Sequence, residues 1–213
     1  MFGSKPLSVP ESKDCLPGRD SPLEISGIHA LSGRNFIPPY DANYQTLRVA
    51  MGCFWGVERL FWQLPGIYVT AVGYAGGSTP NPTYEEACSG YTGHTEVVKV
   101  VYIPEQISLN ELLKVFWESH DPTQGMRQGN DSGTQYRSAI FLEHAEPNAE
   151  QMIENSQFSY QQALNASGGG PITTEIKSGQ TFYYAELYHQ QYLSKNPNGY
   201  CGLRGTGVVC PIA

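Results

Sequence analysis

Apolar residues follow strand-like and helix-like periods in turn along most of the chain, which predicts alternating strands and helices. A short apolar run at 44–50 predicts the first strand, and the stripe of Phe54, Val57 and Phe61 predicts a helix directly after it. A Pro-Gly pair ends that helix. The same periods predict strands at 67–74, 94–102, 136–142 and 172–177, and helices at 83–89, 109–119, 147–166 and about 185–194.

The third predicted strand, 94–102, has a different character on each face, because successive side chains of a strand point in opposite directions. Glu96 lies on a face that is otherwise apolar, together with Val98 and Val100. Lys99 lies on the other face and marks it as the wetter one. We therefore expect the first face to pack inward with a carboxylate on it.

The alternation of elements with short, irregular connections predicts an α+β domain in which helices pack on a single mixed β-sheet. We expect a two-layer α/β sandwich with a ferredoxin-like core over residues 44–195. Residues 1–43, rich in Pro, Gly, Ser and Asp, are predicted to form an extended arm on this domain rather than a separate domain. Residues 196–213 are rich in glycine, which predicts an irregular, flexible tail. The glycines at 73–77 lack the GxGxxG spacing, which disfavours a doubly wound nucleotide-binding fold.

Charge and hydropathy argue against several partners. The 213 residues carry a formal net charge of −7 and contain no basic run, so nucleic acid is not expected as a partner. No apolar run approaches the length that spans a membrane, and the N-terminus lacks the apolar segment of a secretory signal. We therefore expect a cytoplasmic protein that has no membrane partner and is a monomer.

The number of cysteines is odd, which argues against a disulfide framework in a chain expected in the cytoplasm. The thiols are then catalytic, redox-active or incidental. They are Cys15, Cys53, Cys88, Cys201 and Cys210.

Cys53 lies where the first predicted strand meets the first predicted helix. Free backbone N–H groups and the positive end of the helix dipole favour negative charge at such a junction. We therefore predict a thiol that ionises more easily than usual and acts as a nucleophile. Gly52 and Gly56 leave room beside the sulfur, and Phe54 and Trp55 offer an apolar wall. The alternative is an inert cysteine buried at the end of a strand.

Glu96 is the candidate acid. A lone carboxylate among valines on an inward face loses solvation, which raises its pKa and allows it to donate a proton near neutral pH. The alternative is a structural ion pair of Glu96 with Arg127, Arg137 or Lys99.

Cys201 and Cys210 lie in the glycine-rich tail, where flexibility suits thiol–disulfide exchange. The alternative is a pair of incidental thiols in a frayed terminus. We predict no metal site, because structural zinc requires four ligands at recognisable spacing and the chain has no CxxC or HxxxH pair.

Tyr84 and Tyr136 each follow a glycine-rich loop, and their hydroxyls could hydrogen-bond an oxygen atom. With fourteen tyrosines in the chain most are packing residues, so neither is distinctive on its own. Asp131 and His189 are weaker candidates still.

Several short motifs occur in a fixed order along the chain. They begin with Gly52-Cys53-Phe54-Trp55-Gly56, followed by Glu58. They continue with Gly73-Tyr74-Ala75-Gly76-Gly77, Asn81-Pro82-Thr83-Tyr84, Gly93-His94-Thr95-Glu96, His120-Asp121-Pro122, Gln128-Gly129-Asn130-Asp131, Gly133-Thr134-Gln135-Tyr136-Arg137-Ser138 and His189-Gln190-Gln191-Tyr192. Over about residues 44–201 these motifs resemble the peptide methionine sulfoxide reductase A family, most of all its bacterial branch with a long N-terminal arm and two tail cysteines.

The resemblance implies an oxidoreductase that reduces methionine S-sulfoxide, free or in proteins, to methionine. In the family the cysteine of the first motif attacks the sulfoxide sulfur, a role that falls to Cys53. Phe54 and Trp55 would hold the methyl group of the substrate. Asp131 and His189 match positions that line the substrate site.

The resemblance also implies how the sulfoxide oxygen is handled. Tyr84, Tyr136 and Glu96 would hydrogen-bond this oxygen, and Glu96 would protonate it. The chemistry requires a proton, because oxygen leaves sulfur poorly as an oxide and far better once protonated.

Recycling of the thiol follows from the same resemblance. Release of methionine would leave Cys53 as a sulfenic acid. Cys201 would condense with it and expel water, and Cys210 would then attack Cys201 and free Cys53. Thioredoxin would reduce the resulting Cys201–Cys210 disulfide, without a metal or flavin cofactor. The implied role is the repair of oxidative damage under oxidative stress.

Two other functions stay open from the sequence. A Cys–His hydrolase or acyl transferase would pair Cys53 with His94 or His189 and would need no tail cysteines. A non-enzymatic thiol switch would form a disulfide under oxidant but would not turn over. An imidazole within hydrogen-bond reach of the Cys53 sulfur would favour the hydrolase.

Overall fold

A computed structural model of the chain describes residues 6–144 and 147–212. The strands in these ranges are β1 (Gln45–Met51), β2 (Ile67–Ala75), β3 (Thr95–Tyr102), β4 (Arg127–Gln128), β5 (Asp131–Ser132), β6 (Ser138–Leu142), β7 (Glu175–Ser178) and β8 (Tyr183–Tyr184). The α-helices are α1 (Phe54–Trp62), α2 (Tyr84–Ser89), α3 (Leu109–Ser119), α4 (Pro147–Ala166) and α5 (Tyr192–Lys195). None of the helices in the described ranges has the length and apolar composition that crossing a bilayer requires.

Six of the strands form one mixed sheet in the order β7-β6-β1-β3-β2-β8. Neighbouring strands are antiparallel except β6 and β7, which run parallel. The four central strands, β6-β1-β3-β2, with α1 and α3 between them in sequence, have the order of a ferredoxin-like unit. The predicted α+β class, with one mixed sheet packed against helices, is confirmed.

The helices cover one face of the sheet because their apolar stripes face it. In α1 the spacing of Phe54, Val57 and Phe61 puts three buried side chains on one side of the helix. They share a core with inward residues of β1 and β3, such as Val49 and Val98, which are register partners. The α3 and α4 residues in the same core are Leu112, Leu113, Phe116, Trp117, Ile153, Tyr160 and Leu164.

The N-terminal arm covers the opposite face of the sheet. Phe36 of the arm is fully buried in a second cluster with Val69, Ala71 and Val101. All of β3 is therefore buried, since it has helices on one side and the arm on the other. The prediction that Lys99 marks a wetter face is wrong, because the arm takes the place of solvent and leaves Lys99 only 4% exposed.

Lys99 lies among aromatic rings beneath the arm. Its ammonium nitrogen is 4.4 Å from the ring centroid of Tyr184, 5.3 Å from that of Tyr40 and 5.5 Å from that of Phe182. The same nitrogen donates a hydrogen bond to the Tyr184 hydroxyl. Burial, assisted by the positive charge of Arg48, lowers the pKa of Lys99 to about 7. The folded protein therefore favours the neutral amine from about that pH upward.

The helix predicted at 185–194 is wrong for most of its length. Residues 187–191 form turns, and helical structure begins only with α5. The reason is the Gln190 side chain, which bonds both backbone groups of Val72 in β2, at 2.9 Å to the N–H and 2.8 Å to the carbonyl. Gln191 then adopts φ +49°, in the left-handed region. This segment is therefore organised by β2 and not by helical hydrogen bonds.

We expect the stability difference between Lys99→Met and the parent to depend on pH. The unfolded lysine titrates near about 10.4, whereas the pKa of the folded one is lowered to about 7. Between these values the folded parent binds fewer protons than the unfolded chain, so the stability of the parent rises with pH. We therefore expect the free energy of unfolding of Lys99→Met, relative to that of the parent, to fall by about 2 kcal/mol between about pH 7 and pH 9. Urea unfolding measures this difference.

Lys177→Met is the matched control, because Lys177 is half-exposed and pairs with Glu175 on the surface. Its stability difference from the parent should stay constant over the same pH range. A difference for Lys99→Met that is equally constant would contradict the buried-amine account.

Candidate active site

Cys53 lies between β1 and α1 in a turn that favours glycine. The preceding residue, Gly52, has φ +92°, and a Cβ atom there would lie 2.6 Å from the Gln128 side chain. Cys53 is the N-cap residue of α1, directly before Phe54. The structure therefore places this thiol at a helix start, as the strand-to-helix pattern predicts.

Glu96 reaches the same helix end from β3. Its side chain is buried, and its Oε2 accepts a hydrogen bond from the backbone N–H of Phe54 at 2.9 Å. A carboxylate therefore occupies the positive end of α1 beside the thiol of Cys53.

The basic residues considered as ion-pair partners of Glu96 bind elsewhere. Arg137 pairs with Glu175 at 3.2 Å. Arg127 donates to a backbone carbonyl of its own loop at 2.7 Å. Lys99 lies on the opposite face of β3 from Glu96 and packs under the arm with Tyr184 and other rings. All three basic residues therefore have other partners in the structure.

The pKa of Cys53 is raised, which contradicts the expectation of an easily ionised thiol. Burial is the main cause, and the negative charges of Glu96 and Asp131 add to it, whereas the backbone N–H of Trp55 acts in the opposite direction. Desolvation and the neighbouring carboxylate therefore outweigh the helix terminus. Because a neutral Glu96 would repel a thiolate less, the charge states of Cys53 and Glu96 are coupled.

Tyr84 and Tyr136 lie beside Glu96 and remain hydrogen-bond donors. Burial is the main cause that raises the pKa of both hydroxyls. For Tyr84 the next cause is Cys88, whose sulfur accepts a hydrogen bond from the Tyr84 hydroxyl. For Tyr136 the next cause is the charge of Glu96. Both hydroxyls therefore keep their protons throughout the neutral range.

Phe54, Trp55, His189 and Tyr192 form an aromatic wall at this helix start. The ring centroid of His189 lies 5.2 Å from that of Phe54, 5.7 Å from that of Trp55 and 4.4 Å from that of Tyr84. The indole N–H of Trp55 donates to Nδ1 of His189 at 3.0 Å, and the indole stacks on Tyr192 at 4.0 Å. Two residues therefore set the orientation of the Trp55 indole: His189, in the segment before α5, and Tyr192, in α5 itself.

His189 is a neutral ring with one unused donor. Because its Nδ1 accepts the indole proton, its ring hydrogen lies on Nε2. Burial lowers the pKa of His189 to about 4, and the charge of Lys195 acts in the same direction. The Nε2 atom is buried, lies 4.0 Å from Glu186, and has no hydrogen-bond partner among the described residues.

The histidines considered for a Cys–His pair are engaged with other groups. His94 accepts the backbone N–H of Gly77 on Nδ1 at 3.0 Å and bonds the Thr79 carbonyl through Nε2 at 2.7 Å. Both of its nitrogens therefore hold the glycine-rich loop. His189 uses Nδ1 for Trp55. These bonds disfavour the hydrolase alternative.

Asp131 holds the beginning of the tail near the thiol. Its Oδ2 accepts a hydrogen bond from the Tyr200 hydroxyl at 3.1 Å. Burial raises the pKa of Asp131, and the bond from Tyr200 opposes that effect. Cys201, which follows Tyr200 in the chain, has its sulfur over α1. A Cβ atom added to Gly56 would lie only 2.7 Å from this sulfur. The Cys201 charge is one of the causes that raise the pKa of Cys53, so the two thiols share one end of the helix.

Cys210 lies in a different part of the protein. It is 1% exposed within the main hydrophobic core, and its backbone N–H donates to Glu118 of α3 at 2.8 Å. Burial raises the pKa of this thiol as well. The described part of the tail after α5 has no helix or strand, yet its end is packed rather than loose. All five cysteines are free thiols, and Cys201 is exposed whereas Cys210 is buried.

Two residues near the site, Cys88 and Glu58, could not be given a role from the sequence. Cys88 supplies the acceptor for the Tyr84 hydroxyl, a contact that no motif predicts. Glu58 is fully buried in α1. The sequence feature that could have indicated this burial is a charged residue beside the apolar stripe of the helix, directly after Val57. Within residues 6–144 and 147–212 no group of three or more His, Cys, Asp or Glu side chains is arranged to hold a metal ion.

The chain is similar to known proteins over nearly its whole length. The sequence model of the family described as "Peptide methionine sulfoxide reductase" matches residues 45–208. A peptide methionine sulfoxide reductase MsrA from Rhodospirillum centenum is 59% identical over 212 residues, which are 100% of this chain and 96% of the relative. The solved structure of methionine sulfoxide reductase A of Corynebacterium diphtheriae has a TM-score of 0.79 at 45% identity, and the match covers 97% of this chain and 99% of that one. Mxr1 from Saccharomyces cerevisiae, solved in complex with Trx2, has a TM-score of 0.50 at 25% identity, covering 79% of this chain and 93% of that one.

Gly56→Ala tests whether Cys201 owes its position to the missing side chain in α1. Alanine stabilises a helix by about 0.5–1 kcal/mol relative to glycine, so the fold should persist. The new Cβ would lie 2.7 Å from the Cys201 sulfur and must displace it. We expect oxidant-driven formation of a Cys53–Cys201 disulfide to slow about tenfold, corresponding to about 1.4 kcal/mol. Quenched thiol alkylation with mass spectrometry measures this rate.

Gly170→Ala is the control, because the nearest atom to its added Cβ would be 3.7 Å away. This variant should form the disulfide at the rate of the parent. An unchanged rate in Gly56→Ala would show that the contact between Gly56 and Cys201 does not position the second thiol.

Proposed function

The chain belongs to the peptide methionine sulfoxide reductase family, and on this basis we propose that it reduces the S epimer of methionine sulfoxide, free or in proteins, through Cys53. One observation carries the proposal. The Glu96 carboxylate accepts a hydrogen bond at 2.9 Å from the backbone N–H of Phe54, the residue that directly follows Cys53. A nucleophile and an acid therefore meet at one helix end. The role that follows is the repair of oxidised methionine under oxidative stress.

We assign the first step to Cys53 and Glu96. The Cys53 sulfur attacks the sulfoxide sulfur, the sulfur–oxygen bond of the substrate breaks, and the oxygen becomes the hydroxyl of a Cys53 sulfenic acid. The sulfoxide gains two electrons and leaves as a thioether, while the thiol loses two. Glu96 accepts the thiol proton and delivers it to the oxygen. The raised pKa of Cys53 supports this order, because the proton is still on sulfur before the reaction begins.

Tyr84 and Tyr136 would hydrogen-bond the sulfoxide oxygen together with Glu96. Their raised pKa supports this role, since a hydroxyl that keeps its proton can donate to the oxygen throughout the reaction. Phe54 and Trp55 would hold the methyl group, because their rings form the apolar side of the site.

Asp131 and His189 would bind the rest of the substrate. The Nε2–H of His189 supports this assignment, because it is a buried donor without a partner among the described residues. Asp131 would exchange its bond to Tyr200 for a bond to the substrate. Substrate binding and release of the tail would then be coupled.

We propose that the tail recycles the thiol. The Cys201 thiol condenses with the Cys53 sulfenic acid, which forms a disulfide and releases water. Its position over Gly56 supports this step. Cys210 then attacks the Cys201 sulfur and releases the Cys53 thiol. Because Cys210 is buried, it must leave the core for this step.

Thioredoxin would reduce the Cys201–Cys210 disulfide, and the yeast protein solved with Trx2, a thioredoxin, supports this partner. Electrons would pass between thiols only, so neither a metal nor a flavin takes part. We further propose that the protein works as a monomer in the cytoplasm, with no nucleic-acid or membrane partner. The net charge of −7 supports the exclusion of nucleic acid.

The relay is tested in the absence of any reductant. The parent should convert a stoichiometric amount of a methionine-S-sulfoxide peptide and retain a disulfide that includes Cys201. Cys201→Ser should keep this single turnover but lose thioredoxin-driven turnover, whereas Cys53→Ser should lose both. Chromatography of the peptide and disulfide mapping by mass spectrometry measure these outcomes. Five free thiols and an unchanged peptide would exclude the function, and full thioredoxin-driven turnover by Cys201→Ser would exclude only the relay.

Glu96→Gln should lower the single-turnover rate at neutral pH by about 10²–10⁴-fold, the range typical of general acid–base catalysis. The amide oxygen can still accept the Phe54 N–H, so the helix start is preserved. The variant should also lower the pKa of Cys53, because a neighbouring negative charge is removed. Rapid-quench assays and the pH dependence of thiol alkylation measure the two effects.

Glu105→Gln is the control for this variant, because Glu105 is exposed. It should match the parent in both measurements. A Glu96→Gln rate equal to that of the parent would remove Glu96 from the role of acid.

A further inference from the structure

Glu58 is a buried carboxylate that the proposed chemistry does not use. It is 0% exposed and accepts three hydrogen bonds, all from uncharged groups. The donors are the Thr70 hydroxyl at 3.0 Å, the Gln191 backbone N–H at 2.8 Å and the Gln191 side-chain amide at 2.7 Å. Burying a carboxylate is costly unless its bonds are complete, so these three bonds define where α1 and residue 191 lie relative to each other.

The arm binds both of the residues that bind Glu58. His29 bonds the Thr70 hydroxyl through Nε2 at 3.1 Å, and the Ala30 N–H donates to the Gln191 side-chain oxygen at 3.1 Å. Nδ1 of His29 accepts a backbone N–H from its own turn at 3.3 Å, so the ring hydrogen is on Nε2. His29 therefore donates to Thr70, and Thr70 donates to the carboxylate. The arm continues a hydrogen-bond chain that ends on Glu58.

Both ends of this network lead to the aromatic wall. Glu58 lies one helical turn after Trp55 in α1, and Gln191 lies between His189 and Tyr192. Gln191 has φ +49°, which is unfavourable for a residue with a side chain and persists only where surrounding bonds impose it. The bonds from Glu58 and the arm supply that constraint. Without them the segment that presents His189 and Tyr192 to Trp55 would relax.

We propose that Glu58, together with His29 and Ala30 of the arm turn at residues 27–36, is a positioning element for substrate binding, because these residues hold His189 and Tyr192 against Trp55. The turn is a closed unit, with backbone hydrogen bonds from Phe36 to Gly27 at 2.7 Å and from His29 to Arg34 at 2.9 Å. This inference rests on the proposed function, in which the aromatic wall binds the substrate. It predicts that losing a side-chain bond from the arm to the Glu58 network weakens substrate binding and leaves the chemical step intact.

The test compares two alanine variants of the same turn in the full-length chain. His29→Ala removes the bond to Thr70. Arg34→Ala is the matched control, because Arg34 bonds the Tyr68 carbonyl and stacks on its ring without touching the Glu58 network. His29→Ala should raise KM for a methionine-S-sulfoxide peptide about 3–10-fold, as expected for one hydrogen bond, with the saturated single-turnover rate within about twofold of the parent. Arg34→Ala should leave KM unchanged.

His29→Gln is the rescue variant, because a glutamine amide N–H can reach the place of the imidazole Nε2–H. It should restore KM to within about twofold of the parent. A KM unchanged in His29→Ala, a KM raised equally in Arg34→Ala, or a failure of His29→Gln to restore KM would overturn the proposal.

A second readout does not depend on activity. The indole N–H resonance of Trp55, assigned with Trp55→Phe, should move in His29→Ala and stay in place in Arg34→Ala, since this N–H bonds His189. The indole of Trp117, which bonds Ser156 in the core, is the internal reference and should stay in place throughout. A Trp55 resonance that stays in place in His29→Ala would overturn the inference. If the resonance moves as expected in His29→Ala but the parent reduces no sulfoxide, the proposed function is overturned and this positioning role is not.

Discussion

The hydrogen bond from the Phe54 backbone to the Glu96 carboxylate governs the chemistry of the site, because it puts a negative charge at the helix end that would otherwise favour a thiolate. Burial, which is the main cause, and this carboxylate together raise the pKa of Cys53, so its thiol keeps its proton. One helix end therefore faces two acidic groups, and the charge of Glu96 disfavours a thiolate at Cys53. The nearby hydroxyls of Tyr84 and Tyr136 stay protonated in the same surroundings. Three side chains beside Glu96 therefore carry their protons at neutral pH.

The fold makes this possible by burying β3 on both sides. Helices cover the face that carries Glu96, and the arm covers the face that carries Lys99. One strand therefore holds two ionisable side chains in surroundings with little water, one toward each layer. Such surroundings disfavour the charged form of each group, so burial is the main cause of the shifted pKa of Cys53 and of Lys99, and neighbouring charges add to it. The arm contributes as a second layer although it has little regular structure.

The order of strands and helices and the meeting of Cys53 with Glu96 could be predicted, because periodic patterns and short motifs are local properties of the chain. The protonation state of the Cys53 thiol could not, because it depends on burial in the folded protein and on a carboxylate that approaches from another strand. The exposure of Lys99 depends on how an aperiodic arm packs. The segment at 185–194 fails as a helix because the Gln190 side chain bonds Val72, a contact between distant parts of the chain. The burial of Cys210 depends likewise on α3, which no pattern in the tail encodes.

The bond between Ala30 and Gln191 joins residues that are 161 positions apart. Since a protein is made from its N-terminus and domains begin to fold during synthesis, Thr70 and Glu58 leave the ribosome long before Gln191 does. Until Gln191 arrives, the buried carboxylate lacks two of its three hydrogen bonds. The aromatic wall likewise lacks His189 and Tyr192 until the last part of the chain has been made. Completion of that wall is one of the late events in the synthesis of this protein, and it depends on an arm that was made among the first residues.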